Sequence, residues 1–115
     1  MAAWTEAYAN SATVGATEYS LTNNSTTIAA RTDKATYQVF LDTSTLVGGD
    51  QYQIRILEKC RSSSTQRRVM SAVLTGGMAD SWQSPALMLG NGWDVTVQKL
   101  TGTDRAIEWS IRAYA

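Results

Sequence analysis

Ten carboxylates, ten cationic side chains, one thiol and no histidine are what this 115-residue chain offers to a reaction. Without histidine it lacks the commonest general base near neutral pH and the commonest metal ligand, so Ser-His-Asp and Cys-His mechanisms are excluded. A glycosidase would need two carboxylates facing each other across a cleft. The acids Glu6, Glu18, Asp33, Asp42, Asp50, Glu58, Asp80, Asp94, Asp104 and Glu108 are scattered instead, at turns or alternating with apolar residues, as caps and solvated faces are. Asp94 and Asp104 are the acids nearest to calcium chemistry, but no D-x-D-x-D cluster accompanies them. Gly48-Gly49, Gly76-Gly77 and Gly90-Asn91-Gly92 precede no helix and no Lys-Ser/Thr pair, so they are turn glycines and not phosphate loops. The expectation is a protein that is not an enzyme and carries no cofactor and no metal.

Binding is the chemistry left. Lys59, Arg61, Arg67 and Arg68 gather in "EKCRSSSTQRR" with only Glu58 against them, which suits either contact with an acidic partner surface or a solvated loop that guards a sheet edge. Trp82, beside Asp80, Ser81 and Gln83, and Trp4 and Tyr8 in the polar N-terminal segment have few apolar neighbours to cover them, as expected of a contact surface. Trp82 with Asp80 and Asn91 would also make a loose sugar platform. Trp93 and Trp109 fall in phase with Val95, Val97, Ile107 and Ile111 and are expected in the core. The lone Cys60 can form no internal disulfide and reads as a small packed residue.

The elements that must position these groups are short and extended. At this length the chain forms one domain. Cations and anions cancel, so no net field draws it to nucleic acid or an anionic membrane; neither is expected as a partner. No apolar run approaches the roughly 18 residues of a membrane span, and "MAAWTEAYAN" has neither the basic nor the apolar region of an export signal. Residues 1–34, rich in Ala, Thr, Ser and Asn, are predicted to be an extended polar N-terminal arm with the first short strands. Within it "TEYSLTNNSTTIAA" turns at Asn23-Asn24, and the arm is expected to gain order against something else. Residues 35–115 form the body. "ATYQVFLD" alternates Tyr37, Val39 and Leu41 against a face carrying Phe40. Asp42, Thr43 or Ser44 is expected to cap one helical turn that sets Leu46 over the core. "QYQIRILEK" and "RRVMSAVLT" alternate in turn, the latter with Val69 and Val73 opposite its core face, and Gly76-Gly77-Met78 reverses the chain. Pro85 interrupts "DSWQSPALML", marking an edge or bulged strand. The last two strands set Trp93, Val95 and Val97 against Asp94, Thr96 and Gln98, and Ile107, Trp109 and Ile111 against Glu108, Ser110 and Arg112. Some eight strands with polar turns and no helix predict an all-β antiparallel sandwich, an eight-stranded jelly roll by preference and a barrel otherwise.

The stretches "YQVFLDTSTLVGGDQYQIRILEK" and "WQSPALMLGNGWDVTVQKLTGTDRAIEWSIRAYA" resemble small virion proteins of tailed bacteriophages. The likeness runs through Asp42, Leu46, Gly49, Asp50, Glu58 and Lys59, then Ser84-Pro85, Gly92-Trp93-Asp94 and Gly102-Thr103-Asp104-Arg105, to Trp109-Ser110-Ile111-Arg112. It implies a capsid decoration, or cement, protein: a β-sandwich that forms homotrimers on the exterior of the phage head and clamps the major capsid protein, after synthesis in the host bacterial cytoplasm. No functional residue carries over beyond the shared turns. The alternatives are a carbohydrate-binding sandwich of a tail fibre and another tail or baseplate component.

Overall fold

The computed structural model describes residues 4–77 and 80–114. The first three residues of the expected arm and Met78 of the expected Gly-Gly-Met turn lie outside that range. Nine strands and no helix are found among the described residues: β1 (Trp4–Val14), β2 (Tyr19–Ser20), β3 (Ala35–Asp42), β4 (Gln51–Lys59), β5 (Gln66–Thr75), β6 (Ser81–Gln83), β7 (Leu87–Leu89), β8 (Asp94–Thr101) and β9 (Arg105–Tyr114). All pairings are antiparallel. One sheet runs β1-β9-β3-β6, with β7 also on β3, and the other runs β2-β8-β4-β5.

Pro85 explains why the strands number nine and not eight. β6 and β7 both pair with β3, and between the pairs Phe40↔Gln83 and Tyr37↔Leu87 two residues of β3 face three of the partner. That is a β-bulge on a sheet edge, where a proline that donates no ladder bond is tolerated. Ser84 holds it, donating its N–H to the Val39 carbonyl (2.9 Å) and accepting the Val39 N–H on Oγ (2.9 Å). With β6 and β7 taken as one broken strand, successive strands alternate between the two sheets except at the β4–β5 hairpin, as in an eight-stranded jelly roll.

The alternating residues close over one interior. Tyr37, Val39, Leu41, Ile107, Trp109 and Ile111 come from the first sheet, Tyr52, Ile54, Ile56, Leu74, Val95 and Val97 from the second, and Trp93 from the position just before β8; all are buried. Trp93 is fully enclosed, edge-on to Tyr8 at 5.7 Å and tilted against Tyr37 at 4.3 Å, and it donates Nε1–H to the Asp33 carbonyl (3.1 Å).

Several expectations change. The segment predicted as an extended arm forms β1 over Trp4–Val14, paired from end to end with the chain's own β9; its few inward residues, Tyr8, Ala12 and Val14, meet the core. The turn at Asn23-Asn24 forms, with Asn24 at φ 50° and Ser20 bridged to Ser25. No helical turn follows β3: Asp42 accepts the Ser44 N–H (2.9 Å) and hydroxyl in a plain turn, and Leu46 is buried over the core as anticipated. Cys60 is exposed, because it follows the last paired residue of β4 and enters the hairpin loop. Asp94 and Thr96, expected on a solvated face, are buried. β2 pairs beside them and the residues flanking it fold over that face, where Thr96 donates its hydroxyl to Glu18 and Asp94 accepts four hydrogen bonds: Ser20 Oγ (2.6 Å) and Ala29 N–H (2.9 Å) on Oδ2, Thr22 Oγ1 (2.7 Å) and Val95 N–H (2.7 Å) on Oδ1.

A second carboxylate fastens the opposite end. Asp50 accepts the Val47 N–H (3.0 Å), the Thr103 N–H (3.0 Å) and Arg105 Nε–H (2.8 Å). A Cβ on Gly102, which sits at φ 99°, would fall 2.2 Å from Asp50 Oδ1, so that turn accepts only glycine. The Val47 and Thr103 amides, with Arg105 behind them, hold the Asp50 carboxyl down at about 2. A carboxyl depressed in the folded state contributes stability above its unfolded value of about 4, and that contribution is lost as the pH falls toward 2. The wild-type melting temperature should therefore drop across that window. Asp50→Asn should melt lower than wild type at pH 6 and converge with it near pH 2; parallel curves would show that Asp50 is not the titrating clamp.

Candidate interaction surface

The basic residues singled out in the sequence meet at one end of the sandwich. Lys59 ends β4, Arg61 sits in the following loop, and Arg67 and Arg68 open β5. Between the pairs Ile56↔Met70 and Leu57↔Arg68 the register slips by one, leaving Val69 as the extra residue of a bulge. Strict alternation is broken there, so Arg67, Arg68 and Val69 are all exposed in succession. The loop before β8 packs alongside: Lys59 donates its N–H to the Asn91 carbonyl (2.8 Å), and Glu58 accepts the Gly90 (2.8 Å) and Asn91 (3.0 Å) N–H groups.

These elements border a groove of about 1190 Å³. It runs between β5, the edge of one sheet, and β7, on the edge of the other. Lys34, Lys59, Arg67 and Arg68 line it with Val69, Met88, Leu89 and Tyr114, and Glu58 is the one carboxylate among the described residues that line it. The ion pairs among the described residues are Arg55–Glu18, Lys99–Asp104 and Arg105–Asp50. None draws on a groove cation, so the groove is positive on a chain of zero net charge.

An apolar surface adjoins it. Trp4 pairs with Tyr114, Tyr114 with Thr36, and Thr36 with Met88, a straight row across four strands on the outer face of the first sheet. Trp4 (57%), Tyr114 (53%) and Met88 (85%) are exposed, which makes the row adhesive and not structural. Beside it the Arg112 guanidinium lies 3.8 Å from the Phe40 ring centre and 4.8 Å from that of Trp4, a cation–π stack that stiffens the patch. Tyr114 and Thr36 line both the groove and a cleft of about 390 Å³ in front of this stack, so the two features form one continuous surface.

Of the candidates from the sequence, Trp4, Lys59, Arg67 and Arg68 belong to this surface, and Arg61 stands on the same hairpin end outside the groove. Tyr8 and Trp82 do not. Tyr8 is half-buried against Trp93 and donates its hydroxyl to Asp33 (2.8 Å); burial first, then Asp33, pushes that hydroxyl up to about 12. Trp82 pairs with Leu41 and packs half-buried against the core. Asn91 lies beyond Leu89, whose partner Ala35 is six residues along β3 from Leu41, or about 20 Å at the rise of a strand. Trp82, Asp80 and Asn91 therefore assemble no sugar platform. Sequence reasoning missed Lys34, Met88, Arg112 and Tyr114; the outward aromatic at Phe40 was the only local signal, since cross-strand register brings the rest together.

Among the described residues no three His, Cys, Asp or Glu side chains converge on a metal position. The acceptor oxygens of Asp94 and Asp50 are occupied by the chain's own donors, as given above. What the arrangement offers is contact area and charge.

The sequence matches no protein-family model and no curated protein. Among solved structures, the chain is similar to the Yersinia pseudotuberculosis-derived mitogen, at TM-score 0.53 and 5% identity over 96% of this chain and 86% of that one. It is also similar to a chain of the disulfide-linked Bacillus endospore appendage pili, at TM-score 0.50 and 17% identity over 98% and 89%. A capsid chain of Helicobacter pylori bacteriophage KHP30 superposes at TM-score 0.49 and 7% identity over 99% and 91%. At such identities the likeness is one of fold: an all-β, two-sheet sandwich.

Proposed function

We propose that this chain is a non-enzymatic structural protein of a tailed-phage virion, a head decoration protein that binds the major capsid protein lattice from outside as a homotrimer. The observation that carries the reading is the continuous surface at one end of the sandwich, where cations without an ion-pair partner among the described residues adjoin the exposed row Trp4, Tyr114 and Met88. Such a surface has no use within the fold, whereas repeated over many copies it gives avidity from modest contacts. The phage-like turns around Asp42–Asp50 and Gly102–Arg105 support the same reading, and here they are built around the Asp42 and Asp50 hydrogen bonds. The carbohydrate-binding alternative finds no platform at Trp82.

Cosedimentation with expanded capsids lacking the protein tests the proposal. Saturable binding is expected, together with a trimeric mass by light scattering at micromolar concentration. The double variant Trp4→Ala/Met88→Ser should fold as wild type yet bind about tenfold more weakly, as loss of exposed anchors predicts. A monomer that ignores capsids would overturn the reading, and binding to isolated tails alone would favour a tail or baseplate component.

A further inference from the structure

The groove between β5 and β7 points to a more specific occupant. Its four cations have no ion-pair partner among the described residues, and the carboxylate of Glu58 is already turned to the Gly90 and Asn91 amides. Its volume of about 1190 Å³ exceeds the roughly 300–1,000 Å³ typical of small-ligand sites. Both walls are edge strands that carry no further neighbour among the described residues, so each offers main-chain hydrogen bonds to an added extended segment. Between the cations stand apolar side chains, Val69, Met88 and Tyr114. A phosphate backbone has little use for these, and the groove presents a single aromatic ring where a strand of bases would need several for stacking.

We infer that this groove binds an extended acidic polypeptide segment, its carboxylates on Lys34, Lys59, Arg67 and Arg68 and its alternate apolar side chains on Val69, Met88 and Tyr114. The inference deepens the decoration reading and rests on it for the source of the segment, the capsid lattice; the groove's chemistry stands independently of that source.

The probe is a short fluorescein-labelled peptide of alternating Glu and Val, followed by anisotropy. It should bind at low salt and weaken about tenfold toward 0.5 M salt, where the screening length shrinks to a few ångströms. Arg67→Glu/Arg68→Glu, two changes at exposed positions, should keep the wild-type melting curve and weaken binding at least tenfold, two attractions having become repulsions. The Gln-for-Glu peptide should bind at least tenfold more weakly than its parent. Equal binding of that neutral peptide, undiminished binding by the charge-reversed variant, or tighter binding of an oligothymidylate of equal length would each overturn the inference. Capsid cosedimentation keeps the two proposals apart. If the charge-reversed variant loses the peptide but coats capsids as wild type does, the capsid is not the source of the segment. If wild type binds the peptide but never coats capsids, the decoration reading fails and the groove stands.

Discussion

Asp94→Ala should destabilise the fold by roughly 4 kcal/mol, enough to leave a protein of ordinary stability partly unfolded at room temperature. The carboxylate is fully buried, and it gathers donors from β2 and from the segment that follows it. Its removal strands two hydroxyls, of Ser20 and Thr22, and two amides, of Ala29 and Val95. The hydroxyls can rotate toward other acceptors, but the amides cannot, and each buried orphan costs about 1–3 kcal/mol. Arg31, which binds Thr22 through its carbonyl (2.9 Å) and Oγ1 (3.1 Å), loosens with them. Asp94→Asn preserves shape and one acceptor oxygen, so it should lose about half as much. Urea titration followed by tryptophan fluorescence measures both. An alanine variant within a degree or two of the wild-type melting temperature would mean that the segment does not depend on this carboxylate.

Trp93→Ala should cost a similar amount, about 4 kcal/mol, by a different route: a cavity in the core plus a lost hydrogen bond. The indole fills the space between Tyr8 of β1 and Tyr37 of β3 and ties the Asp33 carbonyl to the body. Trp93→Phe retains much of the packing and should lose about half. Trp4→Ala makes the contrast, since its side chain stands mostly in solvent and the loss should stay below about 0.5 kcal/mol. The same chemical deletion thus separates an indole that holds the fold from one that faces outward. Equal losses at the two positions would contradict that division.

Period-2 patterning made β3, β4, β8 and β9 readable, because each sets a run of alternate apolar residues in the core: Tyr37, Val39 and Leu41, for example, are buried while Thr36, Gln38 and Phe40 are only partly so. Pro85 and Asn23-Asn24 were equally plain, since their backbone chemistry acts locally. What escaped is what depends on a distant segment. Asp94 has the spacing of a solvated residue, and nothing within its own strand shows that Ser20, Thr22 and Ala29 fold over it. Trp82 looks orphaned among polar neighbours, yet its cover comes from the core across the sheet. β1 has too few apolar residues to announce a long strand; it is held by main-chain bonds to β9, which leave no mark on side-chain pattern. The interaction surface was half legible for the same reason. The cations of the hairpin end lie within ten residues of one another, whereas Lys34, Met88 and Tyr114 join them only through the register of three strands.

The pairing of Trp4 with Tyr114 also sets a timetable. β1 has no ladder to join until β9 has been made, so the first sheet of this jelly roll cannot be completed before β9 itself has been synthesised. Closing the span from β1 to β9 costs loop entropy before the first bond of that ladder forms, and topologies of this kind fold slowly for their size. Until β9 arrives, β1 and β3 both stand with an open edge, and whatever shields those edges acts before the sandwich is closed.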